Sequence, residues 1–343
     1  MRLSVILKNL IPIFFTLLSL EIGSRFIAHQ PITTTWRKVH KNGLLSNRSN
    51  IRAIHEHWNN RRIIYSFGNY ANRIPNREWD QSKKYKSSSD SECKYLILGD
   101  SVTFGWLVNY QDTFPALIEN RLNKENHKKI YFLNAAAGGW GFADYASYLE
   151  VYKNELQKLN LKGILVFVNI DDANRAAVSN LYILNNSKNL IFAERSNQFY
   201  KSKIGLIRRS LLNNKFITPF YNFLQRYSNL ARLFKNYFLN GAIAIDPSKS
   251  NAYKNNPFYS STKSNKNITT QQKIKVEQSL IDLSSLSSEI GPLNLVHTGL
   301  LPLNRLTPVN RYFFSEYGKE FLSSKNINFD FSTITEKKLY DIE

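Results

Sequence analysis

A three-layer α/β/α sandwich around a parallel sheet is the fold class this sequence predicts, and three features of its pattern carry the prediction. From Lys94 onward, short apolar runs alternate with stretches of helical period. The run GILVFV at 163–168 is apolar at every position, as a strand covered on both faces must be. Each early run also ends in a polar cluster: Gly99-Asp100-Ser101, then Asn134 through Gly141, then Asn169 through Asp172. Strand, helix, strand, helix, strand in that order implies parallel pairing, with helices on the sheet faces. Parallel strands deliver their carboxyl ends to one edge, so the three clusters should meet there.

The elements follow from the N-terminus. MRLSVILKNLIPIFFTLLSLEIGSRF has Arg2 and Lys8 as a positive flank and an uncharged run from Leu10 to Leu20. That run is short for a span of about 20 residues, and no small-residue cleavage site follows it. Residues 1–28 are read as an uncleaved signal-anchor helix, Val5–Ile27, with the positive end cytoplasmic and the remainder exported. A buried amphipathic helix is the competing reading. Residues 29–92 are polar with scattered aromatics and read as an irregular lead-in ending in a linker-like SKKYKSSSDSE. Tyr95–Leu98 is the first strand. Phe114, Leu117, Ile118 and Leu122 predict a helix over 113–123, capped by Asp112 or Thr113. Ile130–Leu133 is the second strand, Ala143–Leu159 a helix and Gly163–Val168 the third strand. Residues 93–172 thus form the first part of the core.

Residues 173–268 break the rhythm. Lys201–Asn240 holds eight Lys or Arg and no acidic residue, interleaved with Phe216, Phe220, Phe223 and Leu224. Such a basic amphipathic insertion either packs its apolar side as a lid or lies on an anionic membrane surface. Residues 245–268 read as an exposed loop. Over 269–343 the sheet resumes: a helix at 269–286, a strand at Leu293–Val296, a helix at 311–323 and a last strand at Ile327–Phe329.

Composition narrows the function classes. A hydrophobic share of 43% supplies a core, and the formal charge of +20 raises the question of anionic partners. Neither zinc-finger spacing nor an RNA-binding aromatic signature appears, so no nucleic acid is expected. The lone Cys93 excludes an internal disulfide and a cysteine-rich metal site. His55 and His57 in AIHEHW lack a third ligand, and no metal or other cofactor is expected.

GDSVTFG, NAAAGGWG and the NIDD segment resemble, in order and spacing, the first three blocks of the SGNH (GDSL-type) hydrolase superfamily. The similarity is greatest to membrane-anchored bacterial members with an insertion after block three. It covers 94–172 well and 292–343 more weakly. The resemblance implies a flavodoxin-like sheet and a serine esterase or acyl transferase acting on O-acyl groups of an envelope glycan or lipid. It makes Ser101 the nucleophile beside Asp100. The Ser101 and Gly139 amides would receive the oxyanion, and Asn134, which would also hold the block-two loop, would line the substrate side with Asn169 and Asp172. Read without the family, GDS is equally a β-turn, and NAAAGGWG a tight strand-to-helix turn.

Two departures qualify that expectation. The oxyanion-hole asparagine of block three aligns with Asp171, and an ionised carboxylate only accepts hydrogen bonds. The closing Asp-x-x-His block is not found: the last histidine is His297, and Asp341 lies two residues from the end. His297, at the end of a strand, is either a substitute base or a structural residue. A catalytically impaired relative with a binding role is therefore the alternative function.

Overall fold

A computed structural model describes residues 3–27, 29–40, 42–56, 61–76, 93–125, 129–169, 171–179, 182–184, 190–192, 213–214, 216–240, 268–298, 308–314 and 316–330. The chain divides into two compact units. The smaller comprises Met1–Thr35, Ala53–Ile64 and Asn214–Lys263; the larger comprises Trp36–Arg52, Tyr65–Asn213 and Ser264–Glu343.

The parallel sheet of the larger unit is built from β6 (Cys93–Gly99), β7 (Ile130–Asn134), β8 (Gly163–Val168), β11 (Leu293–His297) and β12 (Asn328–Asp330). Their spatial order is β12-β11-β8-β6-β7, with every adjacent pair parallel. Counted along the chain this is the 2-1-3-4-5 order of the flavodoxin-like class, as expected. Its switch point lies between β6 and β8, the first and third parallel strands.

Two apolar layers cover the sheet. Even-numbered positions of β6 and β8, Leu96, Leu98, Ile164, Val166 and Val168, join the main core. That core is completed by α4 (Phe142–Gln157), α5 (Asp172–Val178) and α8 (Thr270–Ser288). The alternate positions Ile97, Phe132 and Phe167 form a smaller cluster with Phe114 and Leu122 of α3 (Phe114–Glu125). The period-2 alternation of a strand distributes consecutive side chains to the two faces. Caps set the helix starts: the Asp144 carboxylate accepts from the Gly141 N–H at 3.1 Å, and Thr269 with Gln272 forms a capping box on α8.

Four expectations need correction. Residues 29–92 are not an irregular lead-in. They contain β1 (Arg37–Val39), β2 (Leu45–Asn47), β3 (Arg52–Glu56), β4 (Arg62–Phe67) and β5 (Arg73–Ile74). β5 pairs antiparallel with β7 and with β4, extending the sheet beyond the parallel block, while β1 and β2 form a hairpin. Strands this short carry too few residues for an alternation to show. The insertion also starts later than Ala173, because α5 packs against α4 and α8 as part of the core. The expected helix at 311–323 is two helices, α9 (Pro308–Phe313) and α10 (Glu316–Ser324). Among the described residues no helix is long and apolar enough to cross a membrane, so the spanning segment is unsupported. The linker at 82–92 and most of the loop at 245–268 lie outside the described residues.

The smaller unit contains α1 (Leu3–Ile27), α6 (Ile217–Tyr227) and α7 (Asn229–Asn240). Glu21 of α1 accepts hydrogen bonds from the Asn229 and Leu230 N–H groups and from the Ser228 hydroxyl. A carboxylate at a helix N-terminus satisfies donors that have no intrahelical partner. Asn229 in turn donates to the Ser24 carbonyl at 2.9 Å and accepts from the Gln30 N–H at 2.8 Å. The turn between α6 and α7 therefore clasps the last third of α1.

Candidate active site

Ser101 follows β6 directly and opens α2 (Ser101–Phe104), a single helical turn. Asp100 caps that turn: its carboxylate accepts from the Val102 N–H at 2.8 Å. The turn is gripped from behind by Arg73 of β5, whose buried guanidinium donates to the carbonyls of Phe104, Gly105 and Val108. Burial draws the Arg73 pKa down to about 10, partly offset by Tyr65 and Tyr110, so it remains a cation at neutral pH. As first residue of its helix, Ser101 has an N–H without an intrahelical acceptor. Its Oγ has no hydrogen-bond partner among the described residues.

The block-two loop lies against this serine. A methyl group placed at Gly138 would stand 3.6 Å from the Ser101 Cβ and 3.6 Å from Trp106 Cε3. Arg37 of β1 donates to the Gly138 carbonyl at 2.9 Å, the Trp140 indole N–H donates to the Leu45 carbonyl, and Asn47 donates to the Ala136 carbonyl. Asn134 holds the root of the loop, donating to the Thr103 carbonyl and accepting from the Ala136 N–H. Gly139, at φ 81°, is exposed with nothing within 4 Å of where a Cβ would stand. A side chain at such a φ is strained, and glycine adopts it freely.

Block three closes on the other two through Arg175 of α5. Its Nη1 donates to Asp100 Oδ2 at 2.9 Å, to the Trp140 carbonyl at 2.9 Å and to Asp172 Oδ1 at 3.2 Å. Asp172 is fully buried and accepts in addition from the Tyr145 hydroxyl at 2.7 Å and the Asn169 N–H at 2.8 Å. Burial, and after it the charge of Asp100, pushes the Asp172 carboxyl well above the usual range, against the pull of Arg175. Burial disfavours the Arg175 cation, but Asp172 and Asp100 outweigh it and hold the guanidinium charged. One cation thus ties all three strand-end loops together.

These positions separate the residues singled out in the sequence. Ser101 and Gly139 present exposed or partly exposed groups at the sheet edge. Asp100, Asn134 and Asp172 are buried and turned inward, so Asn134 and Asp172 offer no face to a substrate, contrary to expectation. Asn169 turns the chain, its side-chain oxygen 3.5 Å from the Asp171 N–H. The Asp171 side chain is 43% exposed and stands 4.0 Å from the Arg175 guanidinium. It gives an acceptor where the block-three pattern has a donor. His297 sits two strands from β6 and packs edge-on against Phe314, ring centroids 5.0 Å apart. Burial pulls its pKa down. Residues 331–343, including Asp341, lie outside the described residues.

Sequence reasoning missed Arg175, Arg37 and Arg73. Only Arg175 left a signal, its i, i+3 and i, i+4 spacing from Asp172 and Asp171 on one helix. The other two reach the site through tertiary contacts.

No family model matches the chain, and no curated protein does. Among solved structures it is similar to TesA, at 12% identity over 69% of this chain and 76% of that one, with a TM-score of 0.33. It is also similar to AlinE4, an SGNH-hydrolase family esterase, at 12% identity over 75% of this chain and 86% of that one, with a TM-score of 0.33.

Proposed function

We propose that the chain is a serine-dependent ester hydrolase or acyl transferase with Ser101 as nucleophile. The observation that carries this reading is the packing of the Gly138–Gly139 turn against Ser101 at the carboxyl edge of the central strand. In the reaction, Oγ bonds to the ester carbonyl carbon, the bond to the leaving alcohol breaks, and the serine proton ends on that alcohol. Water or a second alcohol then takes the acyl group from the serine. The N–H groups of Ser101 and Gly139 serve as oxyanion donors, and loss of one such donor costs about 3–4 kcal/mol of transition-state stabilisation. Asp100, Asp172 and Arg175 act as positioning residues beneath them. Val102 and Trp106, both exposed large apolar side chains one and five residues after Ser101, supply an apolar wall for the acyl group. The substrate class is an O-acyl group of an exported envelope glycan or lipid, a choice supported by the basic charge and the apolar N-terminal helix.

A second reading, an impaired relative with a binding role, is favoured by one observation: no described histidine bonds to the Ser101 hydroxyl. Hydrolysis of p-nitrophenyl acetate by the full chain, beside its Ser101→Ala variant, decides between them. Turnover that disappears with Ser101→Ala supports catalysis. Equal background in both chains leaves the binding role.

A further inference from the structure

Amphipathic helices of soluble proteins bury their apolar stripe, and α6 does the reverse. Phe216, Phe220, Phe223 and Tyr227 recur at intervals of four, three and four residues and so share one face, and they are 86%, 62%, 57% and 53% exposed. The polar residues Thr218 and Gln225, on the other side, are buried at 4% and 2%. Asn222, also off the aromatic face, bonds both the N–H and the carbonyl of Thr35. The helix is therefore held by its polar side, with its rings outward. α1, in the same unit, is exposed at every position from 10 to 20, and Leu10, Ile11, Ile13, Phe14, Leu17 and Leu18 share one broad apolar side of it. Its uncharged run Leu10–Leu20 is about 16 Å long at 1.5 Å per residue, roughly half the thickness of a bilayer core.

Charge selects the occupant. The smaller unit carries twelve Lys or Arg against three Asp or Glu. Of those acids, Glu21 is engaged by Asn229, Leu230, Ser228 and Arg25, and Glu56 by the Ile32 N–H and His29. Arg226, exposed, stands 5.4 Å from the Tyr227 ring at the end of the aromatic stripe. Aromatic rings bordered by arginine suit the acyl–headgroup boundary of an anionic leaflet.

We infer that the smaller unit docks on an anionic lipid bilayer, with the aromatic face of α6 at the headgroup boundary and the Leu10–Leu20 run of α1 in the acyl layer. The clasp at Glu21 holds α1 beside the α6–α7 turn. This inference is independent of catalysis, and the Ser101→Ala chain should dock as the native chain does.

The test is flotation of the full chain with vesicles of phosphatidylglycerol and phosphatidylcholine, against vesicles of phosphatidylcholine alone. The expected result is flotation with the anionic vesicles, at least tenfold reduced by Phe216→Ser/Phe220→Ser/Phe223→Ser, and weakened when 1 M salt shortens the Debye length from about 10 to about 3 Å. All three substituted side chains are exposed, so near-native circular dichroism is expected for the variant. Equal flotation of native and variant chains overturns the role of α6, and equal flotation with both vesicle types overturns the choice of an anionic surface. A native chain that never floats but forms a concentration-dependent dimer, lost in the variant, assigns the stripe to a second copy and overturns the inference.

Discussion

Arg175 shows why a single cation governs the geometry of this sheet edge. It neutralises Asp100 and Asp172 in a setting where removing one partner leaves buried charge uncompensated, at a cost of about 3–5 kcal/mol. Arg175→Met should therefore lower the unfolding free energy read from urea denaturation by that amount and abolish ester turnover together. The block-two glycines divide differently. At Gly139 only the left-handed backbone resists a side chain, so Gly139→Ala should cost about 1–2 kcal/mol and lower kcat with little change in KM. At Gly141 a Cβ would meet the Asp172 carbonyl at 2.5 Å and the Arg175 Cβ at 2.8 Å, so Gly141→Ala should cost more stability than Gly139→Ala in the same denaturation assay. His40 makes the acid side testable. It lies 2.7 Å from the Ser46 hydroxyl and edge-on to Tyr152. Burial, then the charge of Lys38, lowers its pKa from 6.5 to about 4. The unfolded chain takes that proton near 6.5 and the folded one only near 4. The stability is therefore full above 6.5 and is lost as pH falls through 4. Urea midpoints of His40→Gln should fall less steeply than the native chain's across that window.

The elements legible in the sequence were those with length and pattern. β6, β7, β8 and β11, with α3, α4 and α8, lie within two residues of their expected bounds, because each repeats its period over enough residues to be read. β1 to β5 were hidden, since strands of two to six residues at an antiparallel edge show no alternation. Their importance is local support: β1 and β2 reach the block-two loop through Arg37, Leu45 and Asn47, and β5 brings Arg73 to the serine turn. Arg73→Leu should leave the Phe104 and Gly105 carbonyls without their donor, at a cost of at least about 2 kcal/mol. Urea unfolding of that variant measures the cost, and because the freed turn carries Ser101, its kcat should fall as well. A substitution that destabilises the chain without touching kcat would separate β5 from the site.

At the scale of the whole molecule the dominant property is the net charge of +20. A field of that size raises the local concentration of anions. Under the proposed ester turnover, kcat/KM toward a carboxylate-bearing ester should fall as salt rises from 50 to 500 mM, about tenfold more than for a neutral ester of equal acyl length. Stopped-flow or steady-state assays of the pair measure it, and a flat response for both removes the field from the account of substrate choice.

Taken alone, the chain of residues determined the parallel core and the serine after its first strand, because these rest on periodicities of two and 3.6 and on turn chemistry, which are local; the flavodoxin-like strand order was implied by the resemblance of its motifs. Tertiary structure alone decided which polar residues turn inward, which arginines hold the loops, and that α6 faces its rings outward. Those outcomes depend on contacts between residues tens to hundreds of positions apart, and no spacing along the chain encodes which side of a helix will find a neighbour.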